Sequence, residues 1–321
     1  MCPRVAVVLG AGGTVGHAFH AAVLGVLHDV TGWDAGEADL LVGTSAGSVV
    51  AALLRAGLPA PDLARRALGR PLSSTGAEIV ARAGIAWPTR PGRPRRERSG
   101  SRMASPARLA RAVQAPWEVR PGSIAAAVMP AGRVATAAIA EPFDALYGET
   151  WPVRPLWIAA VELDTGRRVV FGRPGAPTTT PGQAVRASCA VPGYFEPAEI
   201  AGHRYVDGAV HSTTNADLVA DERPDLVLIS APMSAVGGAV RFGPGFPVRQ
   251  FARLSLGREV AALRALGSTV VTFQPTADDL AVMGGDSLDP RRFAPVCRQI
   301  EMTARRRLEQ PGVRERLRVL G

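Results

Sequence analysis

The sequence predicts an α/β fold with a mainly parallel central sheet. Short apolar segments rich in β-branched residues, of which residues 5–9 (VAVVL) are the first, alternate with segments whose apolar residues recur at helical spacing. Strands without a polar face are typical of sheets that helices cover on both sides. The order strand, loop, helix, strand, helix near the N-terminus therefore indicates parallel strands between helices.

The first elements follow from residue pattern and from helix-ending residues. Residues 5–9 form a buried strand, and apolar residues between Phe19 and Val30 mark one face of the helix after it. Residues 39–42 form a second short strand. The helix that follows Ser45 is predicted to end near Gly57, because glycine favours helix termination.

The second half of the chain adds elements of both kinds. Its short apolar segments have the length and the β-branched content of buried strands. The predictions are a hairpin of residues 157–163 and 169–171 around Asp164-Thr165-Gly166, strands within RPDLVLISAP and STVVTFQP, and a closing helix over 291–320 that breaks near Pro311.

Length and composition favour one domain with a large core. The chain has 321 residues, of which 47% are hydrophobic, and we expect a single domain over residues 1–321, with its motifs within 4–230 and a C-terminal strand and helices over 231–321. No apolar stretch approaches the ~20 residues of a membrane span, and the residues before the first strand lack a secretory signal pattern. Three cysteines without a CxxC pair predict neither a disulfide framework nor a zinc site. These features predict a cytoplasmic protein, at most peripheral at a membrane.

A strongly basic segment interrupts the α/β pattern at about residues 88–121. All 37 basic residues of the chain are arginines, and eight of them lie from Arg90 to Arg111 beside a single acid, Glu97. Proline and serine are frequent in the first half of the segment, so it predicts a mobile insertion rather than part of the core. A solvated loop and a contact with an anionic membrane surface both remain open. Nucleic acid is not expected as a partner, because no aromatic residues interleave with the arginines.

The loop after the first strand, GAGGTVG, has glycines at positions 10, 12, 13 and 16. Loops of this kind hold negative charge against backbone N–H groups. A dinucleotide site requires glycine where this chain has Val15 and an acid about 20 residues further on, where Asp34 stands in a segment that does not resemble a strand end. Taken alone, the loop leaves three interpretations open: a nucleotide site, a structural turn, and a site for a charge that forms only during a reaction.

The second glycine motif, Gly43-Thr44-Ser45-Ala46-Gly47, has the G-x-S-x-G pattern of a nucleophile elbow. It lies between a predicted strand and a predicted helix, where the sharp turn would lift the hydroxyl of Ser45 clear of the backbone. An ordinary Ser-His-Asp triad fits badly, because no histidine follows His211 and only two strands precede the serine. His17 and His20, on the first helix, are expected in solvated or core-edge positions rather than in proton transfer.

Four segments occur in order along the chain: GAGGTVG, GTSAGS, RASCAVPGYFEP (186–197) and YVDGAVHSTTNADLV. Together they resemble the patatin-like phospholipase family. In that family the first is an oxyanion loop, the second a serine elbow, and the third an Ala-Ser-x-Ala-x-Pro-x-x-Phe-x-Pro segment. The fourth contains Asp207-Gly208-Ala209, similar to the family's Asp-Gly-Ala/Gly motif, and an asparagine at Asn215. The resemblance runs from about Arg4 to Ser230, and Val15 stands where the family loop usually has arginine.

The resemblance implies a three-layer α/β/α fold and a serine acyl-ester hydrolase that acts on lipids, as a phospholipase A or a lysophospholipase does. Ser45 would be the nucleophile and Asp207 the general base and acid of a two-residue dyad. The backbone N–H groups of Gly12 and Gly13 would form the oxyanion hole. The resemblance implies a lipid or acyl-ester substrate and neither a cofactor nor a metal. The glycines expected to support the elbow and the loops are Gly16, Gly43, Gly47 and Gly208.

Two alternatives come from other functional classes. The first is a catalytically weak or inactive protein of the same fold that binds lipid or regulates a partner, because Val15 removes a cation beside the expected site. The second is a nucleotide-dependent oxidoreductase, to which the glycine-rich loop points when it is considered without the other motifs.

Overall fold

An eight-stranded sheet lies at the centre of the described part of the chain, which in this computed structural model comprises residues 3–85, 132–239 and 246–320. Each strand is short, and those near the middle are buried along their whole length. The strands are β1 (Val5–Leu9), β2 (Leu40–Thr44), β3 (Leu156–Glu162), β4 (Arg168–Phe171), β5 (Ala198–Ile200), β6 (His203–Asp207), β7 (Leu226–Ser230) and β8 (Thr269–Phe273).

The sheet is mainly parallel, as predicted. Its order is β5-β6-β3-β2-β1-β7-β8, and the five strands from β3 to β8 run parallel to one another. Antiparallel pairs join β6 to β3 and β5 to β6, and the predicted hairpin is the antiparallel pair of β3 and β4. Parallel strands bring their carboxyl ends to one edge, so the loops after β1 and β2 lie side by side.

Helices cover both faces of the sheet, which confirms the predicted α/β architecture. On one face, Val7 and Leu41 share a core with α1 and α2; on the other, Val8 and Val42 pack with Leu256 of α7. Neighbouring strand residues thus point into two separate cores. The helices are α1 (Gly13–Thr31), α2 (Ala46–Arg55), α3 (Ala60–Ala67), α4 (Ser74–Ala83), α5 (Ala137–Tyr147), α6 (Pro181–Ser188), α7 (Phe246–Ala265), α8 (Ala277–Met283), α9 (Phe293–Glu309) and α10 (Pro311–Leu317).

Most predicted elements are present, with small shifts of their ends. The closing helix is divided into α9 and α10 at Pro311, as the sequence predicts, and α2 ends at Arg55, two residues before Gly57. Strand β5 and helices α3 to α6 were not predicted, and α7 and α8 were covered only by the general prediction of helices over 231–321. The basic insertion at about 88–121 lies outside the described residues. Within the ranges given above, no helix combines the length and the apolarity that a bilayer crossing requires.

Candidate active site

Ser45 lies in the sharp turn between β2 and α2, with φ 53° and ψ −123°. A non-glycine residue in this region is strained by roughly 1–3 kcal/mol. The two flanking glycines allow the turn, because a Cβ on Gly43 would lie 2.4 Å from the Cα of Ser48 and one on Gly47 would lie 2.0 Å from the carbonyl oxygen of Leu9. The close approach of α2 to β1 therefore requires glycine at position 47.

Hydrogen bonds hold this turn from both sides. The backbone N–H of Ser45 donates to the hydroxyl oxygen of Ser188 at 2.9 Å, and that hydroxyl donates to the carbonyl of Ala159 at 2.7 Å. The carbonyl of Ser45 accepts the N–H of Ser48 at 2.8 Å and its hydroxyl at 2.7 Å. Ser188 was not among the predicted site residues. The available signal was its place in RASCAVPGYFEP, a segment to which no chemical role had been assigned.

Asp207, the last residue of β6, is brought next to Ser45 across β3. Asp207 pairs with Ala160 of β3, and the preceding residue of β3, Ala159, pairs with Thr44 of β2. The carboxylate of Asp207 faces the side chain of Ser45 and accepts the N–H of Ala209 at 2.8 Å. Burial raises the pKa of Asp207 to about 6, while the nearby hydroxyl of Ser45 and the N–H of Ala209 act in the opposite direction. At neutral pH the carboxylate is therefore largely ionised and faces the serine hydroxyl.

Asn215 connects the two halves of the site. Its side-chain N–H groups donate to the hydroxyl of Thr44 at 3.1 Å and to the carbonyl of Ser212 at 2.6 Å. The loop is also bound to the buried carboxylate of Glu259 on α7, which accepts the hydroxyls of Ser212 at 2.5 Å and Thr214 at 2.6 Å. These bonds fix the loop after Asp207 relative to the end of β2.

Three consecutive backbone N–H groups at the end of the glycine loop after β1, those of Gly12, Gly13 and Thr14, have no acceptor among the described residues. Those of Gly12 and Gly13 are the two predicted donors. The N–H groups on either side are occupied, that of Ala11 by the carbonyl of Thr213 at 2.7 Å and that of Val15 by the carbonyl of Ser287 at 3.0 Å. Gly13 has φ 60°, a left-handed conformation that favours glycine. The two donors lie at the N-terminus of α1, where negative charge is favoured.

The remaining predicted glycines are packed closely. A Cβ on Gly12 would lie 2.6 Å from the Cα of Gly16, and one on Gly208 would lie 2.4 Å from the carbonyl oxygen of Ala159. Gly16 has more room, because its nearest contact would be the ring of Pro232 at 3.3 Å. The loops that carry Asp207 and the two donors therefore depend on small residues at these positions.

His17 and His20 of α1 are buried, so the prediction of a solvated or core-edge position is wrong for His20. Its Nε2–H donates to the carbonyl of Gly10 at 2.8 Å, and its Nδ1 accepts the hydroxyl of Ser230 at 2.7 Å. This pairing follows because a carbonyl can only accept a hydrogen bond. Burial lowers the pKa of His20 to about 4 and that of His17 to about 3, so both rings are neutral at pH 7. His20 therefore supports the glycine loop from the core.

Ser45 opens into a cavity of about 420 Å³. Its walls come from α1, α2, α3, α5 and the segment after α6, so no contiguous stretch of sequence indicates it. Most of the lining is apolar, which is typical of sites for apolar ligands. The apolar residues that line it include Val49, Leu53, Leu58, Leu63, Ile85, Ile139, Phe143, Val191, Phe195, Leu288 and Phe293.

A comparison with protein families decides the classification. The family model described as patatin-like phospholipase matches residues 7–220, which is more than half of the chain. The chain belongs to the patatin-like phospholipase family. The resemblance inferred from the four sequence segments is thereby confirmed, and membership supports a lipid acyl hydrolase activity.

Two solved structures resemble this patatin-like phospholipase at low sequence identity. VipD from Legionella pneumophila is 11% identical, with a TM-score of 0.43 over 96% of this chain and 67% of the VipD chain. The type III effector protein ExoU is 18% identical, with a TM-score of 0.37 over 96% of this chain and 53% of the ExoU chain. This chain therefore spans about half the length of the ExoU chain.

The family's loop arginine is replaced here by a core residue. The side chain of Val15 is 2% exposed and packs in the core that α1 shares with α2.

Asp34, which a nucleotide site would need, instead accepts the backbone N–H groups of Gly36 at 2.7 Å and Ala60 at 2.9 Å. Its carboxylate is thus used to hold the chain between α1 and α3. The oxyanion interpretation of the glycine loop is consequently favoured over the nucleotide interpretation.

Proposed function

We propose that this patatin-like phospholipase is a serine acyl-ester hydrolase of the phospholipase A or lysophospholipase type, in which Asp207 activates Ser45. The observation that carries the proposal is the proximity of the serine side chain to the buried carboxylate of Asp207. The apolar cavity beside the serine supports a substrate with a fatty acyl chain.

In the first half of the proposed reaction, the hydroxyl oxygen of Ser45 attacks the carbonyl carbon of the ester while its proton passes to Asp207. The carbonyl oxygen becomes an oxyanion and accepts the N–H groups of Gly12 and Gly13, and each such donor contributes about 3–4 kcal/mol of barrier lowering. The bond to the leaving alcohol then breaks, and the alcohol takes the proton from Asp207. An acyl-enzyme remains on Ser45.

In the second half, a water molecule attacks the acyl-enzyme and gives a proton to Asp207. The same two backbone donors bind the second oxyanion. When the bond to Ser45 breaks, the serine oxygen recovers the proton, and the free fatty acid leaves. Asp207 thus alternates between base and acid, and a pKa of about 6 suits both roles better than the ordinary aspartate value.

The wider predictions from the sequence form part of the same proposal. We infer a single domain, because β8 pairs with β7 and so extends the sheet beyond the residues that the family model matches. Peripheral contact with an anionic membrane through the Arg90–Arg111 insertion remains a prediction, because the insertion lies outside the described residues. A cytoplasmic location remains a prediction as well. The competing function is a lipid-binding protein with little or no activity, which the replacement of the loop arginine by Val15 favours.

A fluorophosphonate probe tests the proposal, together with a panel of para-nitrophenyl esters and defined phospholipids. We expect labelling at Ser45 and ester turnover in the wild type, and loss of both in Ser45→Ala and of turnover in Asp207→Asn. Ser255→Ala, a serine of α7 outside the cavity, is the matched control. Lipid binding without labelling or turnover would favour the binding protein, and full turnover by Asp207→Asn would exclude the dyad.

A further inference from the structure

One permanent positive charge lies among the described residues that line the cavity of Ser45. It belongs to Arg66 of α3, which is half-buried there. Its Nη2–H group donates to the carbonyl of Ile85, another lining residue, at 2.7 Å. A guanidinium has five N–H donors, so this bond leaves donors for a further acceptor.

The neighbouring arginines are neutralised, but Arg66 is not. Arg65 pairs with Asp62 at 2.9 Å and Arg70 with Glu301 at 3.6 Å. No carboxylate of the described ranges pairs with Arg66. Glu141 also lines the cavity, but its side chain is exposed on α5 and forms no ion pair with Arg66. The cavity therefore contains a cation whose charge is not compensated within the described chain.

A guanidinium in a largely apolar cavity loses part of its hydration, which is unfavourable for the charged form. Burial lowers the pKa of Arg66, yet the group stays charged because the ordinary arginine value is above 12. The charge of Arg66 also acts on His17, a cavity-lining residue near the glycine loop, because it is one of the causes that lower the pKa of His17. A bound anion would offset this cost, and the planar guanidinium matches the oxygens of phosphate and carboxylate groups.

We propose that Arg66 binds an anionic oxygen group of the substrate, so that the preferred substrates are acyl esters that carry a phosphate or a carboxylate. The inference rests on the proposed function of the same cavity.

Two substrate pairs separate the sources of the anion. Monooctanoylglycerol phosphate and monooctanoylglycerol differ by a phosphate on the leaving alcohol. The para-nitrophenyl half-ester of octanedioic acid and para-nitrophenyl octanoate differ by a carboxylate at the end of the acyl chain. Each pair is measured with the wild type, with Arg66→Gln and Arg66→Lys, and with Arg70→Gln as the matched control, and melting temperatures verify that the variants fold.

We expect Arg66→Gln to raise KM about tenfold or more for the charged member of one pair, because a charge-assisted hydrogen bond is lost. The KM for the neutral member of that pair should change less than about twofold. Arg66→Lys should reverse part of the increase in KM that Arg66→Gln causes for the charged member. The affected pair identifies the position of the anion. Equal effects on charged and neutral substrates in both pairs, or no effect in either, would overturn the proposal.

A binding measurement keeps this proposal distinct from the catalytic one. Octyl phosphate contains no ester, so calorimetric titration of Ser45→Ala with octyl phosphate requires no turnover. The titration tests the phosphate source, and octanoate replaces octyl phosphate if the carboxylate pair is affected. We expect binding about tenfold weaker when Arg66→Gln is added. If esters are hydrolysed but binding and KM do not depend on Arg66, the proposed anion site is wrong and the proposed hydrolase activity is retained. If binding depends on Arg66 but no ester is hydrolysed, the anion site is retained and the hydrolase activity is wrong.

Discussion

Ser45 lies next to the buried carboxylate of Asp207, although Ser45 follows β2, Asp207 ends β6, and β3 lies between these two strands. The contact depends on register: Thr44 is opposite Ala159, and Asp207 is opposite Ala160, so the ends of β2 and β6 meet at one level of the sheet. A serine in a strained turn and a desolvated acid are both costly for the fold, and such costs are typical of functional sites.

The pH dependence of hydrolysis should report the ionisation of Asp207. The proposed base must be unprotonated, so kcat/KM should rise with pH and level off above an apparent pKa of about 6. A neutral ester measured from about pH 4 to 9 is suitable, because its own ionisation does not contribute. If kcat/KM instead fell only below the ordinary pKa of aspartate, near 3.8, the result would contradict a base whose pKa is raised by burial.

Asp207→Asn should stabilise the protein at alkaline pH. The folded pKa of about 6 lies above the ordinary value of 3.8, so the stability linked to this group is complete below 3.8 and is lost as pH rises through about 6. Asparagine is neutral at every pH and avoids this loss, which is up to about 3 kcal/mol. Urea denaturation at pH 8 and pH 4 measures it, with the exposed Asp221→Asn as control. We expect most of the difference to disappear at pH 4.

Ser45→Gly should be more stable than Ser45→Ala. Both remove the hydroxyl and should abolish labelling, but only alanine retains the Cβ that is strained at φ 53°. The expected difference in the free energy of unfolding is about 1 kcal/mol. Chemical denaturation of the two variants side by side tests this, and an equal or lower stability of the glycine variant would show that the turn is not strained.

Ser188→Ala should lower kcat more than it changes KM. It removes the acceptor of the Ser45 N–H group and hence one of the bonds that orient the nucleophile. We expect kcat to fall about tenfold or more, with KM nearly unchanged, because Ser188 is not among the residues that line the cavity. Ser188→Thr, which keeps a hydroxyl, should recover part of the rate. An effect on stability alone, with kcat intact, would assign Ser188 a purely structural role.

Two glycine-to-alanine substitutions should have opposite effects on stability. In Gly47→Ala the new Cβ would meet the carbonyl oxygen of Leu9 at 2.0 Å, so we expect a loss of about 3 kcal/mol or more. In Gly257→Ala, on α7, the new Cβ meets no atom within 4 Å, and helix propensity predicts a gain of about 0.5–1 kcal/mol. Thermal unfolding distinguishes the two, and similar changes in both would contradict the close approach of α2 to β1.

Local patterns in the sequence predicted much of the fold. Short, mainly apolar segments identified β1, β2, β3 and β7 because buried strands have no polar face, and Gly43 and Gly47 identified the elbow because a sharp turn excludes side chains. The helices between Ala60 and Ala83 and the short strand β5 were not predicted. These elements have few apolar residues, and those residues pack against elements that are distant in the sequence.

Pairing across the molecule was decided only by the tertiary structure. The sequence alone did not indicate that Ser188 supports Ser45, that His20 is buried beneath the glycine loop, or that the unpaired Arg66 faces the same cavity as the serine. The physical reason is that burial, ion pairing and pKa depend on which elements pack together, and that packing joins residues with no fixed spacing along the chain. The sequence by itself determined the strands, the turns and the reactive groups, and the register of β2, β3 and β6 brought those groups together.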